Sequence, residues 1–450
     1  MTAEPRTAWH PDRSWADPLI ALLALLALLA AATTLVARRQ GARRPAERAS
    51  LQGRLTEVAL AGPKLLAGRP LTEREWTRAT AQLNEPWDRA LLAVLKAELG
   101  EATKEPRDWA TLAAPEGAAG ARFRRACLAA YDGAPLPDAA ERREVHRRLG
   151  GGYAADLLEA RLRDREGGGE ALRAQARAAL MTRLAGLGGL GLLVLSLAGG
   201  GLAVGLYLLV TRKQPLLRPL PAWSLSGRAA TLVGLAWFLA FFVAGNLTAL
   251  VLLPWPRLRW MAVPLGYLMH AGFGVFLLCR AEGIGFQELW RRVVPGRTRR
   301  DLGRDLAWGG AFLALAVFLV VTVALITSAI LKPDQSPQRD LQELLRGLSG
   351  WGPGLALFLT VAVLAPCFEE LLFRGFFLPV LVRNRGMTAA LVLSALLFGA
   401  IHLQPLGLPV LSTLGFAMGL AMRQTGSLRT PILVHGCWNG GLFLLMRAFA

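Results

Sequence analysis

Nine stretches of this chain contain no Asp, Glu, Lys or Arg: 18–37, 184–210, 229–253, 260–279, 307–331, 352–368, 388–403, 406–422 and 430–446. An apolar run of about 20 residues spans a hydrocarbon core as a helix, at about 1.5 Å per residue. Lipid offers the backbone no hydrogen-bond partner, so such runs must be helices or closed barrels, and runs this long and continuous are helices. The last four are short, close to the lower limit of about 17 residues. The pattern predicts an all-α, polytopic helical membrane protein with about eight or nine spans. The first run is longer than the apolar stretch of a typical signal peptide and is followed directly by Arg38 and Arg39, so it reads as a retained anchor.

Composition then separates the parts. The chain has 450 residues, is 53% hydrophobic and carries a formal net charge of +19. Such an apolar chain is not disordered, and four cysteines are too few for a disulfide framework. Residues 38–183 differ in kind, holding 27 basic and 20 acidic residues, with apolar residues at spacings of three and four over Thr72–Gly100 and Asp138–Arg183. Breaks fall at Pro70, Pro86, Pro106, Gly150–Gly152 and Gly167–Gly169. This is a soluble helical domain inserted after the first span. The chain thus divides into a tail and anchor (1–37), the soluble domain (38–183), accessory membrane helices with basic loops (184–350) and a C-terminal membrane core (351–450).

From Leu184 onward there are 22 basic and 9 acidic residues, set between the apolar runs. That is the pattern of a multi-pass membrane protein, with stretches such as Arg291–Arg304 contacting lipid headgroups. It argues against nucleic acid as a partner. Counting Arg374–Arg385 as a loop, an N-terminus on the cytoplasmic side places 16 basic loop residues inside against 5 outside. The cluster Arg38, Arg39, Arg43 and Arg44 counts the other way.

Ionisable groups inside membrane spans are costly and mark function by default. The last hundred residues hold two acids, the adjacent Glu369 and Glu370, and two of the chain's five histidines, His402 and His435. Glu370 and Arg374 are four apart, so an internal ion pair can form along one helix face. Glu369 is rotated about 100° away and faces elsewhere. Phe398 and His402 share a face, as do His435 and Asn439. Pro366 predicts a bend just before the glutamates. His270, in another span without a companion at helical spacing, reads as a core histidine.

A carboxylate and an imidazole around one water make a general base, and a second imidazole with an amide stabilises an oxyanion. The same atoms admit a zinc reading: one carboxylate and two imidazoles, Glu369, His402 and His435, form a catalytic zinc ligand set with an open position. The His-Glu-x-x-His signature is absent. Taken singly, each item is more often structural: a clip inside a bundle, or a packing hydrogen bond. The non-enzymatic alternative is therefore a membrane scaffold or transporter-like helper with a structural polar network. Convergence of Glu369, His402, His435 and Asn439 at one depth separates the two. Because His402 ends its run, convergence calls for a helix of about 367–383 that itself enters the membrane.

Three strings carry a resemblance. Glu-Glu-Leu-Leu-Phe-Arg (369–374), Phe-Gly-Ala-Ile-His (398–402) and His-Gly-Cys-Trp-Asn (435–439) match EExxxR, FxxxH and HxxxN, in order and on apolar helices. Over roughly 355–449 the chain resembles the CPBP intramembrane proteases, also called the CAAX-protease and bacteriocin-processing or Abi family, which includes the CAAX prenyl endopeptidases. The resemblance implies an intramembrane endopeptidase acting on a membrane-associated protein or peptide. It implies Glu369 as the base that activates water, with His402 helping to hold it. His435 and Asn439 would stabilise the oxyanion, and Glu370–Arg374 would be the structural pair. The family is widely labelled metalloprotease but is also described as metal-independent. Asn439 suits an oxyanion hole better than a zinc ligand shell, which favours the metal-free reading. The Ala/Arg/Gly/Leu-rich composition points to a bacterial cytoplasmic membrane.

Overall fold

The computed structural model describes residues 13–42, 48–83, 85–100, 115–211, 218–295, 298–331, 345 and 350–449. Among them the structure is helical, with no strand. Two compact units emerge, one comprising Gln40–Leu193 and the other Met1–Arg39 with Val194–Arg447. Arg43, Arg44, Pro106 and the loop stretches 212–217, 296–297 and 332–344, used in the sequence reading, lie outside the described residues.

The first unit holds α2 (Leu51–Ala67), α3 (Glu73–Gln82), α4 (Pro86–Leu99), α5 (Gly117–Tyr131), α6 (Ala139–Arg148), α7 (Tyr153–Asp164) and the first part of α8 (Gly169–Val210). Its helix starts are written locally. Ser50 caps α2 by accepting from Gly53 N, and Thr72 with Glu75 forms a capping box on α3. Asp88 of α4 accepts from both Ser50 N and Ser50 Oγ at 2.6 Å, tying the start of α2 to α4. Trp87, Leu91, Leu95, Phe123, Leu149 and Leu158 fill the core. Glu57 is also fully buried. Its carboxylate caps α7 from outside by accepting from Ala154 N, and burial raises its pKa.

The second unit holds α1 (Arg13–Ala42, up to Arg39), the later part of α8, and then α9 (Gly227–Val251), a 3₁₀ turn (Pro256–Met261) and α10 (Ala262–Glu282). The short α11 (Phe286–Val293) precedes α12 (Arg299–Leu331), α13 (Trp351–Arg385), α14 (Met387–Ile401), α15 (Leu408–Thr425) and α16 (Arg429–Phe449). Among the described residues six helices are long and apolar enough to cross a membrane: those through 16–34, 169–210, 227–251, 256–282, 299–330 and 351–385. α14, α15 and α16 carry the remaining apolar runs, so all nine runs are helical.

Two expectations change here. The run 352–368 and the membrane-entering helix of about 367–383 are one helix, α13, without a break at Pro366. Two wide π turns, Thr360–Leu364 and Leu371–Phe377, absorb the prolines. In the first turn Ala365 N–H bonds Thr360 O, five residues back. The next bond in that register would come from residue 366, a proline with no N–H. Asn439 Nδ2 of α16 donates instead to the orphaned Val361 O, at 3.0 Å. Around the second turn, Gly375 O lies four residues before Pro379 and accepts from Trp223 Nε1 at 2.7 Å. A side chain from elsewhere in the unit thus bonds a carbonyl at or beside each π turn.

The second change concerns charge. Arg374 is no loop residue; it is fully buried within α13. Several other basic residues also have carboxylate partners within the unit. Buried Asp305 accepts from Arg218 at 2.8 Å, Ser427 at 2.9 Å and Arg429 at 3.0 Å. Arg304 donates to Asp301 at 2.9 Å, and Arg292 donates to Glu288 at 3.2 Å.

Candidate active site

The α13–α14 hairpin sets the depth of the site. It turns at Gly386, whose φ of 78° favours glycine. Glu370 lies 16 residues before that turn and His402 lies 16 residues after it. With about 1.5 Å of rise per residue, both are about 24 Å from the turn along antiparallel helices. Counting Arg374–Arg385 as a loop leaves His402 at the end of its run far from the glutamates; a continuous α13 brings them level.

Glu370 is the centre of a buried ionic cluster. Its Oε1 accepts from Arg374 Nη1 at 2.8 Å and from His435 Nδ1 at 2.9 Å, and both carboxylate and guanidinium are fully buried. Arg374 Nη2 reaches across to Gly415 O on α15 at 2.7 Å. A Cβ on Gly415 would stand 3.1 Å from that nitrogen and 3.2 Å from the Phe398 ring, so glycine permits the approach. The expected Glu370–Arg374 pair therefore has a third member. The carboxylate holds His435 with its proton on Nδ1 and leaves Nε2 pointing onward.

That Nε2 lies 3.9 Å from Glu369 Oε2. The two glutamates differ in access: the Glu369 side chain is 17% exposed and that of Glu370 is not exposed at all. Glu369 Oε1 accepts from Tyr267 Oη of α10 at 2.5 Å. Glu369 Oε2 is buried and has no hydrogen-bond partner among the described residues. Tyr267 escaped the sequence reading because it lies 102 residues away in an apolar span and belongs to none of the three strings. Its helical neighbour at i+3, His270, packs edge-to-face on the Tyr267 ring, with centroids 5.5 Å apart.

Phe398 joins the remaining pieces. Its ring sits 4.6 Å from the Arg374 guanidinium carbon, 4.9 Å from the His402 ring and 5.5 Å from the His435 ring. Its carbonyl accepts from His402 Nδ1 at 2.7 Å, which fixes the proton there. His402 follows the last residue of α14, and Leu403 turns the chain with a φ of 53°, the one positive value outside glycine among the described residues. Glu369 and His435 thus stand side by side, while His402 shares their level across the Phe398 ring. Asn439, one turn beyond His435, has one amide N–H committed to Val361 O.

Among the described residues no three His, Cys, Asp or Glu side chains are grouped to hold a metal ion. His402 and His435 each lie against the Phe398 ring. Glu369, His402 and His435 as placed form no such group.

Residues 351–441 match the family model of type II CAAX prenyl endopeptidases, Rce1-like. The matched segment runs from the start of α13 into α16 and contains all seven residues of the three strings singled out above. No curated protein and no solved structure matches the chain.

Proposed function

With residues 351–441 supported as a CPBP-type CAAX-protease segment in a multi-pass membrane protein, we propose that the chain is an intramembrane endopeptidase. It hydrolyses a peptide bond of a membrane-associated protein or peptide, in a bacterial cytoplasmic membrane. The carrying observation is the pairing of a buried, unpartnered carboxylate oxygen, Glu369 Oε2, on a side chain that is itself partly exposed, with an oriented imidazole nitrogen, His435 Nε2, at 3.9 Å.

In this reading Glu369 Oε2 accepts a proton from water as the water oxygen bonds to the scissile carbonyl carbon. His402 offers its Nε2 to the same water. The developing oxyanion is met by His435 and by the Asn439 amide N–H that does not bond Val361. Collapse of the tetrahedral intermediate breaks the C–N bond, and Glu369 returns its proton to the leaving amine. No step calls on a metal.

The test uses the full chain in proteoliposomes with an internally quenched, farnesylated peptide ending in a CAAX sequence. Wild type is expected to cleave it, Glu369→Gln to lose activity by about 10³-fold or more with the protein still folded, and activity to survive chelation with metal content well below one per chain. Full activity in Glu369→Gln sinks the assignment. One zinc per chain, with activity lost on chelation, replaces the glutamate–water mechanism with a metal one.

A further inference from the structure

The two oxygens of the Glu369 carboxylate are not equivalent, and the group that makes them so is outside the matched segment. Oε1 accepts from Tyr267 Oη at 2.5 Å, whereas Oε2 is unpartnered and is the atom that lies 3.9 Å from His435 Nε2. A free carboxylate rotates about its Cγ–Cδ bond and offers either oxygen. One donor fixed on one oxygen removes that freedom and aims the other.

The donor is itself held. The Tyr267 ring packs edge-to-face on Phe241, with centroids 6.4 Å apart, and on His270 at 5.5 Å, while His270 packs on Phe241 at 5.4 Å and on Trp237 at 6.2 Å. These residues come from α9 and α10, two helices that pack closely along their length. The rings thus form a rigid wall behind one edge of Glu369. On the other edge, His435 is fixed through Glu370.

Building on the reading of Glu369 as the base, we propose that Tyr267 is a positioning residue that selects Glu369 Oε2 as the atom that takes the proton from water. The accessory helices before residue 351 are then part of the catalytic apparatus, because the C-terminal segment alone lacks the hydroxyl that orients its base. Tyr267 stays protonated throughout and transfers no proton. It acts only through Glu369.

The test compares wild type, Tyr267→Phe and 4-aminophenylalanine introduced at position 267, all as full chains in proteoliposomes with the farnesylated quenched peptide. The phenyl ring of Tyr267→Phe keeps the packing on Phe241 and His270 and removes the donor. It is expected to lower kcat by about 10- to 100-fold with KM unchanged, since a misaimed base affects the transition state and not substrate binding. The amino group at the para position restores an N–H donor and is expected to recover most of kcat, which a role in packing alone does not predict. Wild-type kcat in Tyr267→Phe, with Glu369→Gln inactive, overturns this inference and leaves the proposed function standing. Equal kcat losses in Tyr267→Phe and the amino variant overturn it as well. Activity in Glu369→Gln overturns the proposed function itself.

Discussion

Arg374 shows what one residue does in a membrane interior. A guanidinium with no exposure is tolerable only with its charge met, and here Glu370, Gly415 O and the Phe398 ring share that task, while Arg374 Nε has no hydrogen-bond partner among the described residues. Arg374→Met strands the Glu370 carboxylate beside His435 alone, and loss of one partner of such a pair costs about 3–5 kcal/mol. The expected outcome is a fall of that size in unfolding free energy in detergent, partly recovered by Glu370→Gln in the same chain. Equal stability of Arg374→Met and wild type would contradict the buried cluster. The pairing of 370 with 374 was readable from spacing alone, because an i,i+4 relation is local. That His435 joins the pair was not, since it depends on how α16 docks on α13, and sequence spacing carries no such information.

At the scale of the element, α13 has two prolines beyond its first turn, Pro366 and Pro379, and yet continues for 35 residues. Reading Pro366 as a bend applied a rule for straight α-helical hydrogen bonding. The π turn shifts that bonding by one residue, so the orphaned acceptor is Val361 O, and a side chain of another helix fills it. Asn439 therefore has a structural task beside the catalytic one proposed for it. Asn439→Ala leaves Val361 O without its donor and is expected to destabilise the protein by about 1–3 kcal/mol. Pro366→Ala in the same chain returns an N–H to the register and should recover part of that loss. A double-mutant cycle on unfolding free energies measures the coupling, and strict additivity would show that the two sites do not share the carbonyl. The apolar runs themselves were legible because length and absence of charge are properties of contiguous sequence. The joining of 352–368 to 369–385 was hidden because Glu369, Glu370 and Arg374 interrupt the apolar pattern while neutralising one another in space.

Over the whole molecule, the two units offer different handles. In the unit around Gln40–Leu193, burial raises the pKa of Glu57, and burial pushes the Cys127 thiol up to about 12. A carboxylate with a raised native pKa holds its proton more tightly when folded. Its contribution is fully present below the ordinary value near 4.5 and is lost as pH rises from there through the native value. Glu57→Gln removes that loss while keeping a carbonyl oxygen for Ala154 N–H. The temperature at which Cys127 becomes open to a maleimide reports opening of this unit within the intact chain. That midpoint should fall less between pH 5 and pH 8 in Glu57→Gln than in wild type. An identical pH dependence in both would remove Glu57 from the account.

Glu369 is the nineteenth of the 35 residues of α13, close to the midpoint of a helix long enough to span a bilayer. A hydrolase with its base at that depth works where water is the scarce reagent, so turnover is governed by hydration of the site as much as by the carboxylate. The depth also sorts substrates by their own folding. In hydrocarbon a peptide bond is sheltered inside a helix unless its backbone groups find other partners, so a segment is exposed to attack to the degree that it unwinds. Selection of this kind reads the local stability of the substrate's backbone before it reads any side chain.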